Sequence, residues 1–220
     1  LAVGCRPFQL VYAPLLLALL YSRLGHAKPE QKGSFLQKLQ GMLPFLAAPA
    51  AILAVLGLYN LIRFDSLFEF GHNYLPEFVH AEYGQFNVRY IQTNLHNILR
   101  LPYFENAMLV FPIFSGFAFF IANPIYLIAG ARAAGAAVRR RYGLQEALMF
   151  AALLVHFFLL LMHKSFGGWQ FGTRYLCDLI PALYFFILSQ KSHVRVGTGA
   201  VMIFAVLFNI YGAIVFHILS

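Results

Sequence analysis

Charge is what this sequence most conspicuously lacks: 11% of its 220 residues are Asp, Glu, Lys or Arg, and only eight of those are acidic. A soluble domain carries about a quarter of its residues as charges, so a cytosolic enzyme and a nucleic-acid-binding module are both excluded. Cysteine is scarce too. Cys5 and Cys177 are too few for a disulfide framework or a cysteine metal site. There is no Gly-x-Ser-x-Gly elbow and no phosphate loop, which argues against hydrolysis of soluble nucleotides. His72, His80, His96 and His163 share no compact ligand spacing, so no histidine metal site is expected. His156 and His163 stand seven apart on one face of an expected helix, a placement that suits packing better than a proton relay.

What remains is apolar. Hydrophobic residues make up 60% of the chain and its mean hydropathy is +0.70. Apolar stretches at 4–22, 42–62, 107–130, 145–163, 171–189 and 197–219 predict six helices of about 18–24 residues, each long enough for a hydrocarbon core of about 30 Å. Unsatisfied backbone groups in lipid favour helices, so the expected fold is an all-α, polytopic transmembrane bundle occupying the whole chain. Prolines 14, 44, 112, 124 and 181 mark kinks or unwound turns, and Arg174 and Asp178 shorten the 171–189 stretch.

The charges sort by loop. Arg23, Lys28, Lys32 and Lys38, then Arg132, Arg139, Arg140 and Arg141, then Lys191 and Arg195 fall on alternate connections, so loops 23–41, 131–144 and 190–196 are expected in the cytoplasm. The opposite side receives Asp65, Glu69, Glu77, Glu82, Glu105 and Asp178. The chain opens on Leu1 inside apolar sequence, which reads as the later portion of a longer protein. One connection, 63–106, is long, and it is rich in Phe, Tyr and Leu. Loops of such length are usually functional or disordered, and this composition predicts a packed one. Within it Val88, Ile91, Leu95, Ile98 and Leu99 recur at helical spacing opposite Arg89, Gln92, Asn94, His96, Asn97 and Arg100, the pattern of an interfacial amphipathic helix.

Two constellations carry candidate chemistry. The first runs Gly167-Gly168-Trp169-Gln170-Phe171-Gly172-Thr173-Arg174-Tyr175-Leu176-Cys177-Asp178 and holds the only tryptophan. On an α-helix Arg174 and Asp178 share a face at i and i+4, a spacing that allows an ion pair, and glycines before a helix leave N–H groups for an anion such as phosphate. The alternative is a scaffold: Arg174 snorkelling, Trp169 in the interfacial aromatic belt, the glycines making a turn. The second runs Tyr59 to His72. If the helix continues there, Asp65 and Glu69 face one side and offer a divalent-cation pair or a general base; otherwise they form a solvated acidic rim. Arg63, at the interface, suits a lipid phosphate.

The runs Tyr59-Asn60…Arg63-Phe64…Phe68-Glu69-Phe70-Gly71, Gln85-Phe86-Asn87…Tyr90…Asn94-Leu95, Asn123-Pro124 and Gly168-Trp169…Gly172-Thr173-Arg174-Tyr175…Pro181, with the Arg6-Pro7 opening, resemble the later half of bacterial polytopic proteins of the GT-C glycosyltransferase superfamily, over about residues 1–190. The resemblance implies an enzyme of the bacterial inner membrane that moves a sugar from a polyprenyl-phosphate carrier to an acceptor at the outer face. It implies a lipid-linked sugar donor, membrane lipid and the N-terminal half of the same protein or another membrane subunit as partners. The catalytic acid of such enzymes stands in the first outer loop, upstream of Leu1, so that role is not carried to Asp65 or Glu69. Arg63, Trp169, Gly172, Arg174, Tyr175 and Asp178 are the residues expected to meet the lipid phosphate or substrate. A transporter or flippase would show midplane ionisable groups and a broken-helix repeat, and no repeat is visible. A structural membrane subunit whose outer loop docks a partner is the third class.

Overall fold

The computed structural model describes residues 7–26, 35–139, 143–189 and 196–219. The expected cytoplasmic cations Lys28, Lys32, Arg140, Arg141, Lys191 and Arg195, with Cys5 and Arg6, lie outside the described residues. The chain divides into two compact units, Leu1–His80 and Ala81–Ser220.

In the first unit a 3-10 turn, Pro7–Tyr12, leads into helix α1 (Ala13–His26), which packs on helix α2 (Phe35–Phe64). Helix α2 runs 30 residues through Pro44 and Pro49. Each proline removes one ladder donor, yet an apolar segment offers its remaining backbone groups no better partners than each other. The helix stops where Asp65 takes a left-handed φ of 52° and its N–H bonds the Leu61 carbonyl at 3.0 Å, a left-handed cap.

The second unit holds helix α3 (Tyr90–Leu99), strands β1 (Tyr103–Glu105) and β2 (Met108–Val110), and helices α4 (Ile125–Val138), α5 (Leu144–Leu161), α6 (Ile180–Ser189) and α7 (Val196–Leu219). The strands form an antiparallel hairpin that pairs Tyr103 with Val110, Phe104 with Leu109 and Glu105 with Met108. Helix α4 buries Ala129, Ala133 and Ala136 and packs on α6; side chains this small let two helices approach closely. Helix α5 buries Met149, Leu153, His156 and Leu160, a stripe at spacings of four, three and four. The Tyr126 hydroxyl donates to the Leu176 carbonyl at 2.5 Å and Arg132 Nη1 to the Ile187 carbonyl at 3.2 Å, so α4 and the 174–189 segment run the same way. An aromatic cluster of Phe111, Phe117, Phe171 and Phe208, with ring centroids 4.9–5.8 Å apart along its closer edges, fastens α7 to the loops.

The protein is mostly helical, and among the described residues three helices are long and apolar enough to cross a membrane: Phe35–Phe64, Leu144–Leu161 and Val196–Val215. The other three expected stretches are interrupted. In 4–22 the 3-10 turn precedes α1. In 107–130 the residues Met108–Val110 form a strand, Ala107, Ser115 and Gly116 have φ of 62°, 63° and 85°, and helix begins only with the single turn Phe119–Ala122 before Pro124 and α4. Left-handed residues cannot continue a right-handed helix. In 171–189 Gly172 has φ of 76° and residues Arg174–Leu179 wind as a 3-10 helix before α6 starts.

Candidate functional site

Helix α5 ends at Leu161, so the backbone carbonyls of its last turn need donors from elsewhere. Asn94 of α3 supplies them: its Nδ2 lies 2.8 Å from the Leu161 carbonyl and 2.8 Å from that of His163. Asn94 was expected on the polar, outward face of an amphipathic helix; instead it is buried with Ile98 against α5, while Leu95 and Leu99 are exposed. His163 also departs from expectation. It lies beyond the end of α5, so it shares no helical face with His156, and it pairs as a bridge with Phe86. Its Nδ1 is 2.6 Å from the Ser165 carbonyl and 3.3 Å from the Ser165 N–H nitrogen, and its Nε2 is 3.3 Å from Gln85 Nε2.

Beyond His163 the Gly-rich run doubles back along residues 113–118. The Ser115 N–H donates to the Gly168 carbonyl and the Gln170 N–H to the Ile113 carbonyl, both at 2.8 Å, and the Phe117 N–H to the Gly172 carbonyl at 3.3 Å. Those bonds flank Phe114 and Trp169, making them a non-hydrogen-bonded antiparallel pair, the kind whose side chains approach most closely. Their rings meet edge to face at 5.6 Å. Glycine is required here: a Cβ on Gly116 would run into the Gly172 carbonyl, and one on Gly172 would fall 2.7 Å from the Ala122 Cβ. Buried Thr173 closes the seam by donating from its hydroxyl to the Phe117 carbonyl at 3.0 Å, and buried Gln170 bonds the Phe166 carbonyl and the Arg174 N–H.

From the other side the seam is held by Arg100, whose Nη2 donates to the carbonyls of Phe114 and Gly116 and whose own carbonyl accepts from the Ala118 N–H at 2.7 Å. No carboxylate is among these partners, and the buried Nε has no partner among the described residues. Arg100 lines a groove of about 400 Å³ together with Leu101, Tyr103, Pro112, Phe114 and Trp169. Trp169 is 65% exposed in it. One cation among three rings is a surface suited to an anionic group carrying a ring or chain. A second, nearly all-apolar cleft of about 210 Å³ lies among α4, α5 and α6, lined by Tyr126, Ala129, Phe150, Leu153, Phe157 and Leu183.

The structure gathers Trp169, Gly172, Arg174 and Tyr175 around this seam. Arg174 is exposed; its Nη2 donates to the Gly167 carbonyl at 3.2 Å and its guanidinium lies 5.7 Å from the Tyr175 ring centre. Residues Arg174–Leu179 wind as a 3-10 helix, which turns a third of a circle per residue, so positions 174 and 178 are a third of a turn apart and not on the shared α-helical face that was expected. Arg63, Asp65 and Glu69 belong to the other unit. Arg63 Nη1 donates to the Tyr59 hydroxyl at 2.8 Å, with its guanidinium over Phe64. Because α2 ends at Phe64, Asp65 and Glu69 are not successive turns of one helix. Glu69 staples its own loop, accepting from the Gly71 N–H at 2.7 Å and from Asn73 Nδ2 at 2.5 Å. Among the described residues no three His, Cys, Asp or Glu side chains gather as metal ligands. Outside the site, the exposed Tyr83 phenol donates to the Glu82 carboxylate, which raises its pKa above the ordinary tyrosine value.

Arg100 is the residue that sequence reasoning missed, since it read as one more charge on the polar side of α3. Its signal was positional: an arginine that ends a helix immediately before Leu101-Pro102 and a strand. No known protein family, curated protein or solved structure matches the chain.

Proposed function

We propose that the chain is the carrier-binding part of a membrane glycosyltransferase of the GT-C kind, which takes a sugar from a polyprenyl-phosphate donor at the outer face of a bacterial inner membrane. On this reading six segments cross the bilayer, with the helix ends and connections within 23–41, 131–144 and 190–196 on the cytoplasmic side. The observation that carries it is the groove at the end of α5, where a guanidinium and three aromatic rings converge beside a glycine-rich turn. A prenyl phosphate needs a cation at interface depth and aromatic surface just outside it, and its chain needs an apolar cleft such as that among α4, α5 and α6. Arg174 is the cation whose loss leaves the seam's backbone pairing in place. Arg174→Ala should weaken retention of polyprenyl phosphate by the purified, full-length chain about 10- to 100-fold, the value of a charge-assisted contact, with the amount of membrane-inserted protein unchanged. Undiminished retention would remove its phosphate role.

A structural subunit is the second reading, favoured by two specific features. Both Glu69 oxygens are engaged within their own loop, and much of the Gly-rich run is paired to residues 113–117. If Arg174→Ala and Trp169→Ala both leave retention intact while assembly with a membrane partner depends on the 64–106 surface, that reading replaces the first.

A further inference from the structure

We propose that the Tyr103–Val110 hairpin is a lipid-contacting element, seated in the headgroup layer beside the end of α5, and that it forms the bilayer-facing wall of the groove. Antiparallel strands on a soluble protein commonly show one face to the core and a polar one to water. Here one face is wholly apolar, with Phe104 77% exposed and its cross-strand neighbour Leu109 47%; the other carries Glu105 opposite Met108, yet Met108 is still 68% exposed and Tyr103, opposite Val110, 50%. An isolated two-stranded hairpin is marginal in water, and so much bare apolar surface marks a contact.

The occupant is lipid because the patch continues a lipid-facing surface. Antiparallel pairing of Phe114 with Trp169 ties the segment after β2 to the loop that follows α5, and α5 is apolar and long enough to cross a membrane. A bilayer surface therefore passes close to the hairpin. The ring types agree: Tyr103 and Trp169, with Arg100 beside them, are the residues that populate the boundary between headgroups and hydrocarbon. Depth is limited by the backbone. A two-stranded hairpin has two open edges, whose N–H and C=O groups cannot enter hydrocarbon unpaired, and Glu105 and Asn106 stand at its turn. The hairpin thus lies about 5–10 Å into the boundary layer, not across the core.

This inference rests on the membrane reading of the helices and not on sugar transfer. Trp169→Phe removes the only tryptophan. In that background Phe104→Trp, or Met108→Trp should the first fail to fold, places a reporter on the hairpin, and Leu207→Trp places one on α7. Each full-length chain is reconstituted into phosphatidylcholine vesicles brominated either near the glycerol or near the chain ends. The hairpin reporter should lose most fluorescence to the shallow bromines and the α7 reporter most to the deep ones. An unquenched hairpin reporter with a quenched α7 reporter overturns the proposal alone; blue-shifted emission in that case would mean that protein covers the hairpin. If neither is quenched, the membrane reading falls and takes the proposal with it.

Discussion

Several residues in the second unit adopt backbone conformations that their neighbours dictate and their own chemistry resists. Asn106 and Ala107, at φ of 50° and 62°, make the two-residue turn of the hairpin. Such turns need two left-handed residues, and asparagine followed by glycine is the usual solution. Alanine in the second place is strained. Ala107→Gly should therefore raise the thermal midpoint of the detergent-solubilised protein, by a stabilisation of about 1 kcal/mol; an unchanged or lower midpoint would mean that the turn is not of this kind. Gly116 is the opposite case, since its φ of 85° and its closeness to the Gly172 carbonyl both demand the missing side chain. Arg100 shows why single charges are hard to read in a sequence. A guanidinium bound to two carbonyls looks the same in a string of letters as one in solvent.

At the level of elements, the long apolar helices were legible because continuous apolar sequence marks them, even through Pro44 and Pro49 of α2: α2, α5 and α7 fall close to where that sequence puts them. The 107–118 stretch was not, because a short apolar run reads alike as a strand or as a buried helix. Only Asn106, Pro112 and the Ser115-Gly116 pair mark it as non-helical, and each is tolerated in membrane helices. The shared face expected of Arg174 and Asp178 was misread for a related reason: i, i+4 presumes α-helical winding, and in a 3-10 helix the two positions are a third of a turn apart. In 63–72 the acidic spacing was visible, whereas the left-handed stop at Asp65 was not. The seam between 113–118 and 168–173 is the element on which the candidate site depends. Gly116→Ala should destabilise the protein by more than about 2 kcal/mol, combining left-handed strain with overpacking, and should abolish the edge-to-face contact that sets Trp169 emission. A variant with unaltered stability and emission would show that the seam does not hold the groove together.

At the scale of the whole molecule, the proposed topology involves both units. Phe68 belongs to the first unit and Trp169 to the second. Within the second, the Phe86–His163 bridge and the Asn94 hydrogen bonds to the Leu161 and His163 carbonyls bring the later part of the long connection to the end of α5 that carries the tryptophan turn. The proposed six-span topology puts the Phe68 loop and Trp169 on the same, outer side of the membrane. The most direct test is thiol labelling in intact cells, with Phe68→Cys and Trp169→Cys made separately in a background carrying Cys5→Ser and Cys177→Ser. Both engineered thiols should react with a membrane-impermeant maleimide without lysis. If one reacts from outside and the other only after the cells are opened, the two lie on opposite sides of the bilayer and the proposed six-span topology, on which the outer-face carrier reading rests, is wrong.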